Sequence, residues 1–165
     1  YRNQYSGISW PAVTLAEGQE ILFDRRYKRL SDRSLGLDVF LPSQKRRLGT
    51  ALVLLHGGAW RSGDKSHFYA LASHLAGLGH TVILPDNAAR FGIKPGRVAV
   101  GGASSGGQMA ALLAYDARLR TDAAGRAAPV AALVDLDGVL DMTDPLALQF
   151  ENAAGDKSPF AQWVG

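Results

Sequence analysis

Several kinds of residue and segment are missing from this chain of 165 residues. It contains no cysteine, which excludes disulfide bonds, cysteine-ligated zinc and thiol catalysis. No signal peptide is visible, and no apolar run approaches the ~18–20 residues that a membrane-spanning helix needs. The 18 basic and 15 acidic residues leave a net charge of only +3. Neither nucleic acid nor an anionic membrane is therefore indicated as a partner.

The rest of the composition is that of a folded domain. Hydrophobic residues make up 47% of the chain, enough to bury a core, so we expect a single domain over residues 1–165. The basic clusters at 25–30 and 45–47 are interpreted as solvated hairpin and turn positions, because no aromatic platform accompanies them. The chain starts at Tyr1 rather than a methionine, so we expect a leader or other N-terminal segment to be missing from it. A secreted or periplasmic location is favoured over a cytoplasmic one.

Alternating strand and helix patterns predict an α/β fold, with a mainly parallel sheet flanked by helices. The first two strands, at residues 20–30 and 35–42, are expected to form an antiparallel pair. In a parallel sheet, reactive groups gather at the carboxyl ends of the strands. The remaining elements are strand 51–58, helix 65–79, strand 81–86, strand 96–100, helix 108–115 and strand 130–138.

In each of the two predicted helices, helical spacing places apolar residues on one face of the helix. Such a face is the part of a helix that packs on a core. The residues are Phe68, Leu71, Ala72 and Leu75 in the first helix, and Met109, Leu112 and Leu113 in the second.

The link between residues 86 and 96 is short for this fold. Neighbouring parallel strands need a crossover of about a dozen residues or more, mostly helical, whereas only residues 87–91 could be helical before Gly92 and Pro95. Five residues give about 7.5 Å of helix, against about 20 Å for a six-residue strand. We therefore expect a segment to be missing between residues 86 and 87, which an abnormally long Asp86–Asn87 separation would show.

The sequence GGASSGG at residues 101–107 places two serines between glycines, at a strand-to-helix turn. A dinucleotide fingerprint needs glycines at its first, third and sixth places, and this stretch lacks them. A Walker loop needs Lys and then Ser or Thr after its last glycine, where Gln108 stands. The nucleophile-elbow pattern G-x-S-x-G is matched in full by residues 102–106. A glycine-serine turn that only caps a helix would use the same residue types, so the context must decide.

Spacing selects Ser104 as the candidate nucleophile. A serine on a sharp turn needs almost no side chain two residues before and two residues after it, because the backbones pass close together there. Ser104 has Gly102 and Gly106 at those positions, whereas Ser105 has an alanine before it. Ser105 would contribute a backbone N–H at the start of a helix, where unpaired N–H groups and the helix dipole favour negative charge.

A second glycine cluster, HGGAW at residues 56–60, ends the strand predicted before it. Fixed backbone N–H groups stabilise the oxyanion of acyl transfer, and glycines let such a backbone approach the substrate. The cluster resembles the HGGG-type oxyanion loop of esterases and lipases, with Ala59 in place of the third glycine. The resemblance implies that Gly58, Ala59 and Ser105 are the oxyanion donors.

The other residues of the two clusters are assigned structural roles. His56 is interpreted as bracing the loop rather than acting as a base, and Trp60 as packing beside the cleft, because local bracing and burial are commoner than direct chemistry. Gly57, Gly102 and Gly106 leave room for close backbone approach. No metal site is predicted.

Together, the two motifs resemble the α/β-hydrolase superfamily over about residues 35–140. The resemblance is closer to bacterial carboxylesterases akin to hormone-sensitive lipase and to the feruloyl- and acetyl-esterase-like group. It implies hydrolysis of a small-molecule or carbohydrate-linked acyl ester, such as an acetyl or feruloyl ester, through an acyl-enzyme intermediate and without a cofactor. Kynurenine formamidases share both motifs, so arylformamidase activity is an alternative. A non-catalytic binding member of the fold is another.

The groups that would activate Ser104 are missing from the sequence. The resemblance implies the chain order Ser, then Asp or Glu, then His, but all four histidines precede Ser104. His67, His74 and His80 are interpreted as surface or helix-end residues. We therefore expect the chain to be a fragment that stops before the last strands of the family's domain. Four of the aspartates that follow the serine lie on or just beyond the next strand, too early to be assigned as the acid: Asp135, Asp137, Asp141 and Asp144.

Overall fold

The computed structural model describes residues 12–29, 31, 34–59, 62–83, 97–122, 124–141 and 143–158. These residues form one six-stranded sheet and three α-helices. The strands are β1 (Glu20–Arg29), β2 (Ser34–Leu41), β3 (Ala51–Leu55), β4 (Thr81–Val82), β5 (Val98–Ala103) and β6 (Ala132–Leu136). The helices are α1 (Tyr69–Gly77), α2 (Ser105–Tyr115) and α3 (Pro145–Ala154).

The strands are arranged in the order β1-β2-β4-β3-β5-β6. β2 pairs antiparallel with both β1 and β4, whereas the β4-β3, β3-β5 and β5-β6 pairs are parallel. This confirms the prediction of a mainly parallel sheet with an antiparallel N-terminal pair. Leu55 is paired with Gly102, so the segments that follow β3 and β5 leave the same edge of the sheet side by side.

The core lies on both faces of the sheet. Successive strand residues point to opposite faces, so Leu37, Val39 and Leu41 of β2 pack on one side and Phe40 on the other. α1 covers the Phe40 side through Ala72 and Ala76. α2 covers the opposite side, where Ala110 packs against Val53 and Val100. Helices on both faces are what a buried parallel sheet requires.

The predicted apolar faces of the two helices are wrong in part. Leu71 is 38% exposed and Leu112 is 41% exposed. Ala72 of the predicted face is buried, and the other buried residues of α1 are the small or polar Ser73 and Ala76. Small side chains let the helix backbones lie close to the sheet, so the larger leucines are pushed to the rim of the contact. In addition, the predicted first helix begins as a 3-10 turn, Lys65–Phe68, before α1.

Two further points concern the break expected after residue 86 and the lack of a membrane-spanning segment. The break expected between residues 86 and 87 lies outside the described residues, as does the end of the strand predicted at 81–86. In the part of the chain that the structure describes, no helix has the length and apolar character needed to cross a membrane.

We predict that Leu37→Ala lowers the free energy of unfolding by about 2–5 kcal/mol, because it leaves a cavity under the sheet. Leu37 is only 2% exposed and belongs to the cluster around β2. The control is Leu119→Ala, at a side chain that is 56% exposed, which should change stability by less than about 0.5 kcal/mol. Denaturant unfolding of both variants measures the difference, and equal effects would contradict this account of the core.

Candidate active site

Ser104 lies between the last residue of β5 and the first residue of α2, in a strained backbone conformation. Its φ is 53° and its ψ is −124°, a region that costs a residue other than glycine about 1–3 kcal/mol. The Ser104 N–H donates to the Leu136 carbonyl over 2.9 Å, and the Ser104 carbonyl accepts from the Gln108 N–H over 3.1 Å. The turn is thus held by β6 and by the first turn of α2.

Exposure separates the two adjacent serines. Ser104 is exposed, whereas Ser105 is only 2% exposed. The hydroxyl that faces solvent at this turn is therefore that of Ser104. Ser105 begins α2, where the N–H groups of the first helical turn point toward the helix N-terminus.

Close backbone packing holds the elbow, residues 102–106, in shape. A Cβ added to Gly102 would overlap the carbonyl group of Gly106. This is the close approach that the glycine spacing predicts for these two positions. The turn therefore excludes any side chain at residue 102.

The segment after β3 packs directly on this elbow. A Cβ on Gly106 would overlap the Leu55 carbonyl, and a Cβ on Gly57 would lie 2.8 Å from the Ala103 carbonyl oxygen and 3.2 Å from Ser104 Cβ. Backbone therefore meets backbone on both sides, with no side chain between. The structure thus brings together Gly57, Gly106 and Ser104, which the sequence assigns to one site.

The glycine loop, residues 56–59 with 62 and 63, is folded back on itself. Gly58 has a φ of 136° and Ala59 a φ of 51°. The Gly58 carbonyl accepts both the N–H of Ser62 at 3.0 Å and its hydroxyl at 3.2 Å. A Cβ on Gly63 would overlap the Gly57 carbonyl and the His56 ring. The loop is thus a compact unit in which Gly58 and Ala59 directly follow Gly57, the residue that meets the elbow.

An open cleft lies beside the glycine loop and the end of β5, where the two are in contact. Its walls include His67 and Phe68, which belong to the 3-10 turn before α1. Trp60, predicted to pack beside this cleft, lies outside the described residues. The full lining in the described part of the chain is Gly57, Gly58, Ser62, Gly63, His67, Phe68 and Ala103.

The four histidines have different surroundings. His56 Nδ1 lies 2.9 Å from the Gly57 carbonyl oxygen, and because a carbonyl only accepts, Nδ1–H is the donor. This contact is what a loop-bracing role requires. His67 is exposed, and its ring meets that of His56 edge-on at a centroid distance of 6.2 Å. His74 is exposed on α1, and His80 Nδ1 lies 2.6 Å from Thr50 Oγ1, at the opposite end of β3 from the cleft.

The aspartates that follow Ser104 have local roles. Asp135, in β6, accepts a hydrogen bond from the Gly138 N–H at 3.1 Å. Asp141 and Asp144 accept from backbone N–H groups two residues further on, both at 2.8 Å. Bonds of this kind stabilise turns and helix starts. Within the described ranges, no group of three or more His, Asp or Glu side chains could hold a metal ion.

A polar cluster that the sequence analysis did not predict lies behind the glycine loop. It consists of Asp24, Asp38, Lys65 and Tyr69. Lys65 Nζ lies 2.6 Å from a carboxylate oxygen of each aspartate, and the Tyr69 hydroxyl donates to Asp38. The Asp24 N–H also donates to Asp38, at 2.8 Å. The Asp38 side chain is only 4% exposed, so these bonds satisfy a buried charge.

The pKa values of the polar cluster are displaced in the directions expected for paired groups. Burial alone would raise the pKa of Asp38, but hydrogen bonds from Lys65 and Tyr69 outweigh it and the pKa is lowered. Burial alone would lower the pKa of Lys65, but its bonds to Asp24 and Asp38 leave that pKa raised. Burial together with the bond to Asp38 raises the pKa of Tyr69 to about 12.

We predict that Gly102→Ala disrupts the elbow. The new methyl group would overlap the Gly106 carbonyl, and overpacking of this kind lowers the free energy of unfolding by about 1–3 kcal/mol. Gly36→Ala is a matched control, because its Cβ would meet nothing closer than 3.7 Å. Thermal unfolding of the two variants compares them, and a Gly102→Ala protein as stable as the control would show that the predicted overlap does not exist.

The Tyr69–Asp38 bond should make stability depend on alkaline pH. Folding raises the pKa of Tyr69 from about 10 to about 12. The stability that the Tyr69–Asp38 bond contributes is therefore complete below pH 10 and is lost as the pH rises through 12. We predict that wild type is more stable than Tyr69→Phe at pH 9, and that this difference shrinks by pH 12. Urea unfolding across this range measures it, and a difference independent of pH would refute the pairing.

Solved structures similar to this one are esterases. Esterase B from Lactobacillus rhamnosis, inhibited by a tributyrin phosphonate, superimposes with a TM-score of 0.62 at 19% sequence identity, covering 92% of this chain and 59% of that one. Esterase 2 from Thermogutta terrifontis with bound propionate gives a TM-score of 0.59 at 20% identity, covering 87% and 64%. The same esterase phosphoramylated by tabun gives a TM-score of 0.60 at 20% sequence identity, covering 81% of this chain and 61% of that one. This chain thus spans about three fifths of the length of these proteins.

Comparison with family models assigns the chain to a protein family. No curated protein matches the chain, but the BD-FAE family model matches residues 80–165, just over half of it. This range contains the elbow. The chain has the α/β-hydrolase fold and belongs to the BD-FAE family.

Proposed function

We propose that this chain carries the nucleophile and the oxyanion-binding loop of a serine-dependent carboxylic ester hydrolase. The observation that supports this most directly is the contact between the two glycine motifs. An exposed serine on a strained turn lies against Gly57, immediately before Gly58 and Ala59. A turn that only capped a helix would need neither the strain at residue 104 nor a glycine loop packed on it.

In the proposed reaction, Ser104 Oγ attacks the ester carbonyl carbon and forms a C–O bond to it. The carbonyl oxygen becomes an oxyanion, which the N–H groups of Gly58, Ala59 and Ser105 stabilise. One such donor is worth about 10²–10³ in kcat. The bond to the alcohol then breaks, the alcohol leaves with a proton, and water hydrolyses the acyl-Ser104 intermediate to release the acid.

A base must take the proton from Ser104 as its oxygen attacks. We assign His56 to bracing the loop, where its Nδ1–H donates to the Gly57 carbonyl and its ring packs against Gly63. The family resemblance instead assigns the base to a histidine that follows the nucleophile in the chain, oriented by an Asp or Glu. The described residues thus supply the proposed nucleophile and the proposed oxyanion donors. The proton acceptor is proposed to be that later histidine.

The acyl group is proposed to be small or aromatic, such as acetyl or feruloyl. Support for a small group comes from the similar esterases, which were solved with a C4–C4 tributyrin phosphonate, propionate or butyrate. Parallel assays on p-nitrophenyl acetate, methyl ferulate and N-formylkynurenine distinguish these acyl groups from the formyl group of an arylformamidase. Turnover of N-formylkynurenine alone would replace the ester proposal with that alternative.

We predict that Ser104→Ala in the full-length protein lowers kcat for p-nitrophenyl acetate by about 10⁴-fold or more, because the nucleophile is lost. The fold should be retained, with an unchanged far-ultraviolet circular dichroism spectrum. Ser105→Ala is the matched control, since only its backbone N–H is used, and its effect should be far milder.

A fluorophosphonate probe gives an independent measurement. Esterase 2 from T. terrifontis has been solved phosphorylated by paraoxon and phosphonylated by sarin. The wild-type protein should be labelled at Ser104 and the Ser104→Ala variant should not. Absence of labelling in wild type, or full activity in the variant, would favour a non-catalytic binding member of the fold.

A further inference from the structure

The glycine loop is attached to the sheet at two places. One is its start, where Leu55 ends β3 and packs against Gly106. The other is at its far end, where Asp64 accepts from the Ser66 N–H at 2.8 Å and caps a 3-10 turn, and where Lys65, the first residue of that turn, bonds to Asp38 of β2. Since the described residues between these points pack on one another, we expect the two attachments to determine where Gly58 and Ala59 lie.

Lys65 makes the second attachment through its side chain. Its Nζ lies 2.6 Å from Asp38 Oδ1 and 2.6 Å from Asp24 Oδ1. The two pairs differ in strength, because the Asp24 side chain is 83% exposed and the Asp38 side chain only 4%. Exposed pairs contribute little, whereas removing one partner of a buried pair leaves an uncompensated charge. The bond to Asp38 is therefore the one that fixes Lys65.

Asp38 is itself immobilised from three directions. It lies in the middle of β2, which is hydrogen-bonded to β1 and β4. Its carboxylate accepts from the Asp24 N–H, where β1 has an irregular register and Asp24 has a φ of 50°. It also accepts from Tyr69, whose ring packs at centroid distances of 5.3 Å from Phe40 and 6.1 Å from Phe23. The acceptor of the Lys65 bond is thus part of the rigid sheet.

We propose that Lys65 is a positioning residue, which holds the glycine loop against the elbow by tethering the far end of the loop to Asp38. This inference rests on the proposed function, because the loop matters for catalysis only if Gly58 and Ala59 stabilise an oxyanion. Lys65 acts through the loop and touches no substrate. Loss of the tether should therefore impair transition-state stabilisation more than substrate binding.

The central experiment is Lys65→Met in the full-length protein. Displacement of a catalytic group by about 1 Å can cost about 100-fold in rate, so we expect kcat for p-nitrophenyl acetate to fall by about 10- to 100-fold, with KM changed less than about threefold. Lys65→Arg keeps a cation at the same position and should retain most of the wild-type kcat. Arg118→Met is the matched control, because it removes a 2.6 Å ion pair with Asp116 that lies after α2, away from the loop.

A double variant separates positioning from stability. Lys65→Met leaves the Asp38 carboxylate buried without its cation, which lowers stability. Adding Asp38→Asn removes that charge, so the double variant should regain stability while kcat stays low, since the tether is still absent. If stability and kcat recover together, or if Lys65→Met keeps kcat within twofold of wild type, the inference is overturned.

Hydrogen–deuterium exchange distinguishes failure of this inference from failure of the proposed function. Amides of residues 56–64 should exchange faster in Lys65→Met than in wild type, while those of α2 should not change. If Ser104→Ala retains activity, the proposed function fails, yet the exchange measurement still reports whether Lys65 holds the loop. Unchanged exchange at residues 56–64 would overturn the tether whatever the enzyme assays show.

Discussion

The candidate site depends on direct contact between two stretches of backbone. The end of β3 and the turn after β5 lie side by side because Leu55 and Gly102 are paired in the sheet. They can touch only because Gly57, Gly102 and Gly106 have no side chains to separate them. One contact therefore fixes the turn that carries Ser104 and the start of the glycine loop relative to each other. Neither segment could be moved alone, since each forms the wall against which the other packs.

The N-terminal hairpin contributes to this arrangement although it lies at the far side of the sheet order. β2 joins the parallel strands through β4. The carboxylate of Asp38 in β2 bonds to Lys65, and this bond links the hairpin to the 3-10 turn that follows the glycine loop. The buried charge is compensated by a cation, a hydroxyl and a backbone N–H. Such a fully bonded group holds its neighbours in one geometry, whereas an apolar contact would let them slide.

Local pattern was enough to predict the order of the strands and helices as far as β6, whereas α3 was not predicted. Apolar runs mark β3 and β5, and the glycine spacing around Ser104 reflects a steric requirement that is strictly local. The polar cluster was not predicted because its partners lie 14 to 31 residues from Asp38, and because an irregularity in β1 brings Asp24 to it. A carboxylate within the apolar strand LGLDVFL was a signal of a buried polar contact, though not of its partners.

The helix faces were mispredicted for a related reason. Periodicity indicates which residues of a helix share a side, but the distance between helix and sheet decides which of them are covered. In α2 the close packing of the elbow brings Gly106 and Gly107 onto the sheet, and Leu112 is left 41% exposed. The geometry of a backbone contact thus overrides the hydrophobic pattern that follows it in the chain.

The positive φ of Ser104 sets activity against stability at a single residue. The strain belongs to the backbone, so most substitutions at this position inherit it, whereas glycine adopts the same angles without penalty. Proteins drift toward whatever stability threshold selection enforces. On the proposed function, glycine at position 104 would accordingly give a protein that is more robust but inert.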